Sequence, residues 1–120
     1  GLHLLVCDAQ TDALIGSVGL NAVDWEDLRA NIGYWIAADA RRRGHATRAT
    51  RLLAVWTLRS LGLERVQIHT RVANQASQRV AERAGFVREG VLRSHMQVKG
   101  RRFDAVVFSL LPGDVEGMEK

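Results

Sequence analysis

The sequence predicts a mixed α/β fold: a mostly antiparallel sheet with one central parallel β-α-β crossover. Three observations predict it. Alternating or β-branched apolar segments lie near both ends of the chain, within 2–23 and 92–110, spaced as hairpins. Two stretches in the middle, beginning at His45 and Asn74, switch to the three-and-four apolar spacing of helices. One further strand-like segment lies between them, so the order is β-β-β-α-β-α-β-β. A strand–helix–strand unit in that order makes one parallel pair, joined by a right-handed crossover.

Each element follows from its residues. Leu2 to Cys7 is a short apolar run, Asp8 to Asp12 is turn-like, and Leu14 to Val23 is the second strand, so 2–23 reads as a hairpin. Asp24 to Ala30 is a charged connection with room for one helical turn. Asn31 to Ala37 is aromatic and β-branched, and Gly33 inside it marks a close backbone approach. Ala40 to Gly44 is a basic, glycine-ended loop. From His45, the residues Ala46, Ala49, Leu52, Leu53 and Trp56 form a helix face, which assigns Trp56 to the core; Gly62 stops this helix. Glu64 to Thr70 alternates as a strand. Asn74 can cap the second helix by accepting from first-turn amides, with Val80, Ala81 and Ala84 inward and Gly85 at its end. Leu92 to Val98 and Phe103 to Leu110 form a closing hairpin around Lys99-Gly100-Arg101-Arg102. Residues 1–111 read as one domain and 112–120 as a polar C-terminal tail.

Composition narrows the function. At 120 residues, 47% apolar and 25% charged, the chain suits one globular domain. No apolar run approaches the ~20 residues that span a bilayer, and the opening lacks a secretory signal, so no membrane partner is expected. Cys7 is the only cysteine, which excludes an internal disulfide framework and a multi-Cys zinc site. A cytoplasmic location and no metal are the expectations, with Cys7 as inert core packing. The net charge is +4, and of 17 basic residues only Lys99 and Lys120 are lysines. Arginine forks bind phosphate and carboxylate through paired hydrogen bonds. A nucleic acid or a nucleotide-like cofactor would account for them, and so would a coding bias toward Arg and Ala. The arginines cluster once, at a helix start, which suits one bound phosphate group better than a nucleic-acid backbone track.

That cluster is the most informative stretch: Ile36-Ala37-Ala38-Asp39-Ala40-Arg41-Arg42-Arg43-Gly44-His45-Ala46-Thr47. It runs from a strand end through a basic loop into a helix. A helix start offers unpaired amides and the positive end of the dipole, a ready site for phosphate. Gly44 lets an anion approach the backbone and small Ala46 keeps the first turn open. From the residues alone, a solvated arginine loop with a helix-starting glycine is the simpler reading. Neither the P-loop spacing nor the dinucleotide fingerprint is present.

Arg41-Arg42-Arg43-Gly44-His45-Ala46 resembles the R/Q-x-x-G-x-G/A signature of the GNAT superfamily of acyl-CoA-dependent N-acetyltransferases. Asn74-x-x-Ser77 with Glu82-Arg83-Ala84-Gly85-Phe86 resembles the N-x-x-S…E-x-x-G-F segment of its RimJ/RimL-like subgroup. Glu89-Gly90-x-Leu92-Arg93, Gly100, Asp104 and Ser109-Leu110-Leu111 resemble its closing hairpin. The likeness covers about residues 14 to 111. It implies the GNAT-like fold and acetyl-CoA as cofactor. The acceptor would be an amine, on a protein N-terminus or a small molecule. It further implies that the strand ending at Ala38 splays from Val66–Thr70 and that loop amides cradle the pyrophosphate of coenzyme A. Family members carry a strand and two helices ahead of this hairpin, so the resemblance implies an N-terminally truncated form. The closing hairpin leaves room for a homodimer.

The cofactor-binding residues implied are Ile36, Ala37, Ala38, Arg41, Arg42, Arg43, Gly44, His45, Ala46, Thr47, Asn74, Ser77 and Arg83. The reaction implied is direct attack of a neutral amine on a thioester carbonyl, with an oxyanion donor near Ile36 or Ala37. Ser77 is the candidate catalytic donor to the departing sulfur, or else a first-turn residue bonding its own backbone. Tyr34 sits on a strand, so the helix tyrosine that serves as acid in many relatives has no counterpart. His95, Asp24, Glu26 and His69 are open alternatives for the base, and strand alternation turns His95 away from Leu92, Ser94 and Met96. A non-catalytic acyl-CoA-binding remnant is the competing function.

Overall fold

A computed structural model describes residues 2–7, 14–36 and 44–118. The strands are β1 (Leu2–Cys7), β2 (Leu14–Asp24), β3 (Arg29–Ile36), β4 (Arg65–Arg71), β5 (Val87–Val98) and β6 (Arg101–Leu110). The helices are α1 (His45–Ser60), α2 (Gln75–Arg83) and α3 (Pro112–Met118). The strands form one sheet in the order β1-β2-β3-β4-β6-β5. Only β3 and β4 are parallel; every other neighbouring pair is antiparallel. This is the mixed sheet with one β-α-β crossover that the element order predicts.

Alternation decides which side of the sheet is covered. Val18 and Leu20 of β2, Ala30 and Ile32 of β3, Val66 and Ile68 of β4, and Val106, Phe108 and Leu110 of β6 join one buried cluster. Leu53, Ala54 and Leu58 of α1 and Ala81 and Ala84 of α2 complete it, so both helices lie on the same face. The intervening residues of β4 (Arg65, Gln67, His69, Arg71) face the other side and are only half-buried.

The structure departs from the sequence expectations at several places. The inner face of α1 is Ala46, Thr50, Leu53, Ala54, Thr57 and Leu58, whereas Leu52 and Trp56 are 69% and 41% exposed. Trp56 is therefore not a core residue. Two threonines occupy the stripe instead, and Thr57 satisfies its own hydroxyl by donating Oγ1 to the Leu53 carbonyl at 2.7 Å. Cys7 is exposed rather than packed: it ends an edge strand, beyond a register irregularity at Val6/Cys7. Residues 25–28 form a turn, organised by Asp24 Oδ1 accepting from the amides of Glu26 and Asp27 at 3.0 and 2.9 Å. Strand β5 begins at Val87, five residues before the expected start. The polar tail contains α3, whose Asp114 Oδ2 accepts from the Leu111 amide at 2.9 Å and whose Val115 is buried in the core.

Candidate active site

The two parallel strands separate. β3 pairs with β2 along its length, from Asp24↔Arg29 to Gly16↔Ile36. It pairs with β4 at only three positions, Arg29↔Arg65, Ala30↔Val66 and Asn31↔Gln67. Beyond Asn31 no ladder pair joins the described residues of β3 to β4, although β4 continues to Arg71. A wedge-shaped gap thus opens at the carboxyl ends of the parallel pair, where such sheets place ligands. Asn31 Oδ1 accepts from Gln67 Nε2 at 2.9 Å and closes the narrow end.

On the helix side the gap leads into a cavity of about 140 Å³ lined by Tyr34, Trp35, Ala46, Asn74, Ala76, Ser77 and Val80. The end of β3 and the first turns of both α1 and α2 meet here. Asn74 caps α2, its Oδ1 accepting from the Ser77 amide at 3.0 Å. The Tyr34 phenol donates to the Ser77 carbonyl oxygen at 2.6 Å and lies 2.9 Å from Ser77 Oγ. A phenol has one proton, and the carbonyl can only accept, so the Ser77 hydroxyl donates to the Tyr34 oxygen. Burial pushes the Tyr34 phenol up to about 12, against the opposing bond from Ser77. The phenol is therefore neutral at physiological pH and serves as a fixed hydrogen-bonding group.

The start of α1 stands at the rim. Gly44 is its N-cap in the left-handed conformation, φ +73°, and no side chain caps it. The conformation favours glycine; a Cβ there would also lie 3.2 Å from Arg48 Nη1, a flexible side-chain end that would have to shift slightly. Buried Ala46 keeps the first turn small where it meets the cavity. These features suit a diphosphate: first-turn amides without a side-chain cap, a glycine entry and a dipole end beside a narrow cavity.

On the opposite face, beyond the last paired position, β4 presents His69 and Arg71. The His69 ring lies against that of His95, with centroids 4.8 Å apart. Partial burial, then the neighbouring His95 and Arg65, hold His69 below the usual imidazole range, so it is neutral at pH 7. Arg65 bridges from β4 to Glu89 of β5, with Nη1 to Oε2 at 3.0 Å, and Ser109 of β6 donates to the same Oε2 at 2.9 Å. Arg65 and the Ser109 hydroxyl hold the Glu89 carboxyl at about 2.

The structure therefore brings Ala46, Asn74 and Ser77 around one cavity, with Gly44 two residues before Ala46 as the N-cap of α1. His45 and Thr47 lie beside Ala46 in the first turn, with His45 Nδ1 2.9 Å from Arg48 Nη2. Arg83 is exposed at the far end of α2, outside the cavity lining. Ile36 ends β3; Ala37, Ala38, Arg41, Arg42 and Arg43 lie outside the described residues. Two features escaped sequence reasoning. Tyr34 touches Ser77 across 43 residues of chain, a contact no local pattern encodes. His95 reaches His69 because the β5–β6 register slips between Leu92 and Met96, with Ser94 at φ +52°, which breaks the alternation that would turn it away. Among the described residues no group of three His, Cys, Asp or Glu side chains is placed to hold a metal, and no helix is long and apolar enough to cross a membrane.

Comparison with known proteins agrees with this geometry. Residues 1–87 match the family model described as Acetyltransferase (GNAT) domain. A Bacillus subtilis protein named "Putative ribosomal N-acetyltransferase YdaF" is 39% identical over 105 residues, 88% of this chain and 57% of that protein. The ribosomal-protein-serine acetyltransferase of Escherichia coli is 35% identical over 82 residues, 68% of this chain and 46% of that protein. A structure of the spermidine N-acetyltransferase SpeG from Vibrio cholerae superposes with a TM-score of 0.83 at 25% identity, covering 98% of this chain and 69% of that one. The chain thus spans about half to three-fifths of the length of these two sequence relatives. With the family model covering most of its length, a relative 39% identical over 88% of it, and the splayed strands and glycine-started helix in place, this chain belongs to the GNAT acetyltransferase family.

Proposed function

We propose that this domain transfers an acetyl group from acetyl-CoA to a primary amine, on a protein N-terminus or a small molecule, by direct attack. The observation that carries the reading is the convergence of the open β3–β4 gap, the uncapped glycine start of α1 and the Tyr34–Ser77 pair on one cavity. Acetyl-CoA supplies an activated thioester. The first-turn amides of α1, entered through Gly44, would hold its diphosphate, with Arg41, Arg42 and Arg43 as charged donors from the preceding loop. The carboxamide nitrogen of Asn74 is available to the pantetheine arm, since only its oxygen is used for the cap.

Ser77 acts as hydrogen-bond donor to the departing sulfur by turning its single O–H away from the Tyr34 oxygen, while the Tyr34 phenol, still donating to the Ser77 carbonyl, positions the residue. Neither hydroxyl is acidic enough to give up its proton outright, so the contribution is charge stabilisation rather than full proton transfer. On the opposite face, neutral His69 is the group poised to take the proton of the incoming amine.

Isothermal calorimetry with coenzyme A and thiol release with acetyl-CoA plus an amine panel test the reading together. Micromolar binding with amine-dependent thiol release is expected. Binding without turnover on any amine would favour a non-catalytic acyl-CoA-binding role, and no binding would overturn both.

A further inference from the structure

We propose that the outward end of β4 selects acceptor amines that carry a carboxylate, with Arg71 as the residue that holds it. The proposal rests on the acetyltransfer reading and names the acceptor class for that site. Arg71 is the last residue of β4, three positions before the cap residue Asn74, on the sheet face opposite the helices. Its guanidinium lies over the Phe103 ring, with the carbon 4.0 Å from the ring centroid. A cation held over an aromatic face is restrained in position, and a guanidinium so restrained retains the N–H fork that receives a carboxylate by two parallel bonds.

The charges around it are unbalanced. Arg29 is paired with Asp24 and Asp27, and Arg65 with Glu89, but no carboxylate among the described residues pairs with Arg71. Arg101 approaches the same ring at 5.6 Å, adding positive charge. Arg102 is held nearby by Ser94 and Gln97. The nearest acid in sequence on β6, Asp104, accepts from the Ser94 amide at 2.7 Å. Glu89 is neutralised by Arg65. An acceptor arriving beside His69 therefore meets a fixed, uncompensated guanidinium. A polyamine, cationic along its length, is disfavoured there, whereas an amine with a nearby carboxylate gains a charge-assisted pair.

The carboxylate has two sources, a free amino acid or an acidic residue near a peptide N-terminus, and the test has an arm for each. Initial rates are compared for β-alanine against propylamine, for a Ser-Glu against a Ser-Gln N-terminal peptide, and for spermidine. The carboxylate-bearing acceptor of at least one pair is expected to win in kcat/KM by about 10- to 100-fold. Arg71→Gln should bring that ratio within about twofold of one; Arg71→Lys should keep part of it. Should Arg71→Gln fold poorly, Phe103→Leu, which removes the stack and keeps the charge, should weaken the preference severalfold. Equal rates within both pairs, a preference that survives Arg71→Gln, or spermidine as best acceptor would overturn the proposal. Failure of all acceptors would instead strike the acetyltransfer reading. Carboxylate capture is then still read by NMR: β-alanine should shift the Arg71 Nε–H resonance and propylamine should not, and no shift would overturn it.

Discussion

Removal of the Ser77 hydroxyl separates a catalytic role from a structural one. In Ser77→Ala the α2 cap survives, because Asn74 Oδ1 bonds the main-chain amide of residue 77, and the Tyr34 phenol keeps its acceptor in the residue 77 carbonyl. What is lost is one exposed-to-half-buried hydroxyl bond to the Tyr34 oxygen at 2.9 Å, about 0.5–1.5 kcal/mol, which for a domain of 120 residues lowers Tm by only a few degrees. A hydrogen bond to a developing thiolate is worth more, about 1.5–3 kcal/mol, because one partner is charged. The expected kcat is therefore lower by roughly 10- to 150-fold, with the Kd for coenzyme A within about threefold. Thiol release under saturating acetyl-CoA and calorimetry on the same protein measure the two quantities. Tyr34→Phe should cost less, and the double variant should resemble Ser77→Ala, since Tyr34 acts through Ser77. A Ser77→Ala enzyme within twofold of the parent, or three fully additive effects, would refute the reasoning and leave Ser77 as a first-turn residue of α2.

Gly44→Asp should weaken coenzyme A by at least about 100-fold on calorimetry. It forces a side chain into φ +73° and against Arg48, and it places negative charge at the helix start. His69→Gln should lower the amine-saturated rate at pH 7. Because the His69 pKa lies below the ordinary imidazole value, the parent rate should fall on the acid side as the ring takes up a proton, a limb absent from the variant's pH profile. Glu89→Gln tests the linkage sign: the folded carboxyl sits at about 2 against an ordinary 4.5, so its stabilisation is present above pH 4.5 and disappears as pH falls from 4.5 to 2. The pair is about a third exposed and solvent screens it, so the loss at pH 7 should be about 1 kcal/mol, and the parent's stability advantage in urea titrations should vanish by pH 2.

Much of the fold was legible because its signals are local. The glycine before α1, the asparagine before α2 and the alternation of β4 each act within a few residues, and all three stand as expected. Apolar spacing gives Ala46 and Leu53 of the inner stripe of α1 but not Thr50 and Thr57, which look polar in sequence; both are fully buried, while apolar Leu52 and Trp56 face outward. The first five residues of β5 are not legible in the sequence because this exposed, Gly90-interrupted start carries no apolar period; only pairing with β6 defines it. The site divided in the same way. Gly44, Asn74 and Ser77 lie at helix starts, where short-range rules apply. Tyr34 and His69 acquire their surroundings from segments dozens of residues away, through the strand order and a bulge.

Three rungs tie β3 to β4, while longer ladders hold the strands on either side of them. The sheet is in effect two panels stitched at one end of a seam and kept together elsewhere by side chains beneath it. Such a seam is the natural place for local opening, so amides at the free margin of Ile32–Ile36 should exchange with solvent far faster than those on the margin shared with β2. Any extended guest that supplied the missing rungs would slow that exchange and raise the melting temperature with its concentration, linking occupancy to the integrity of the whole sheet.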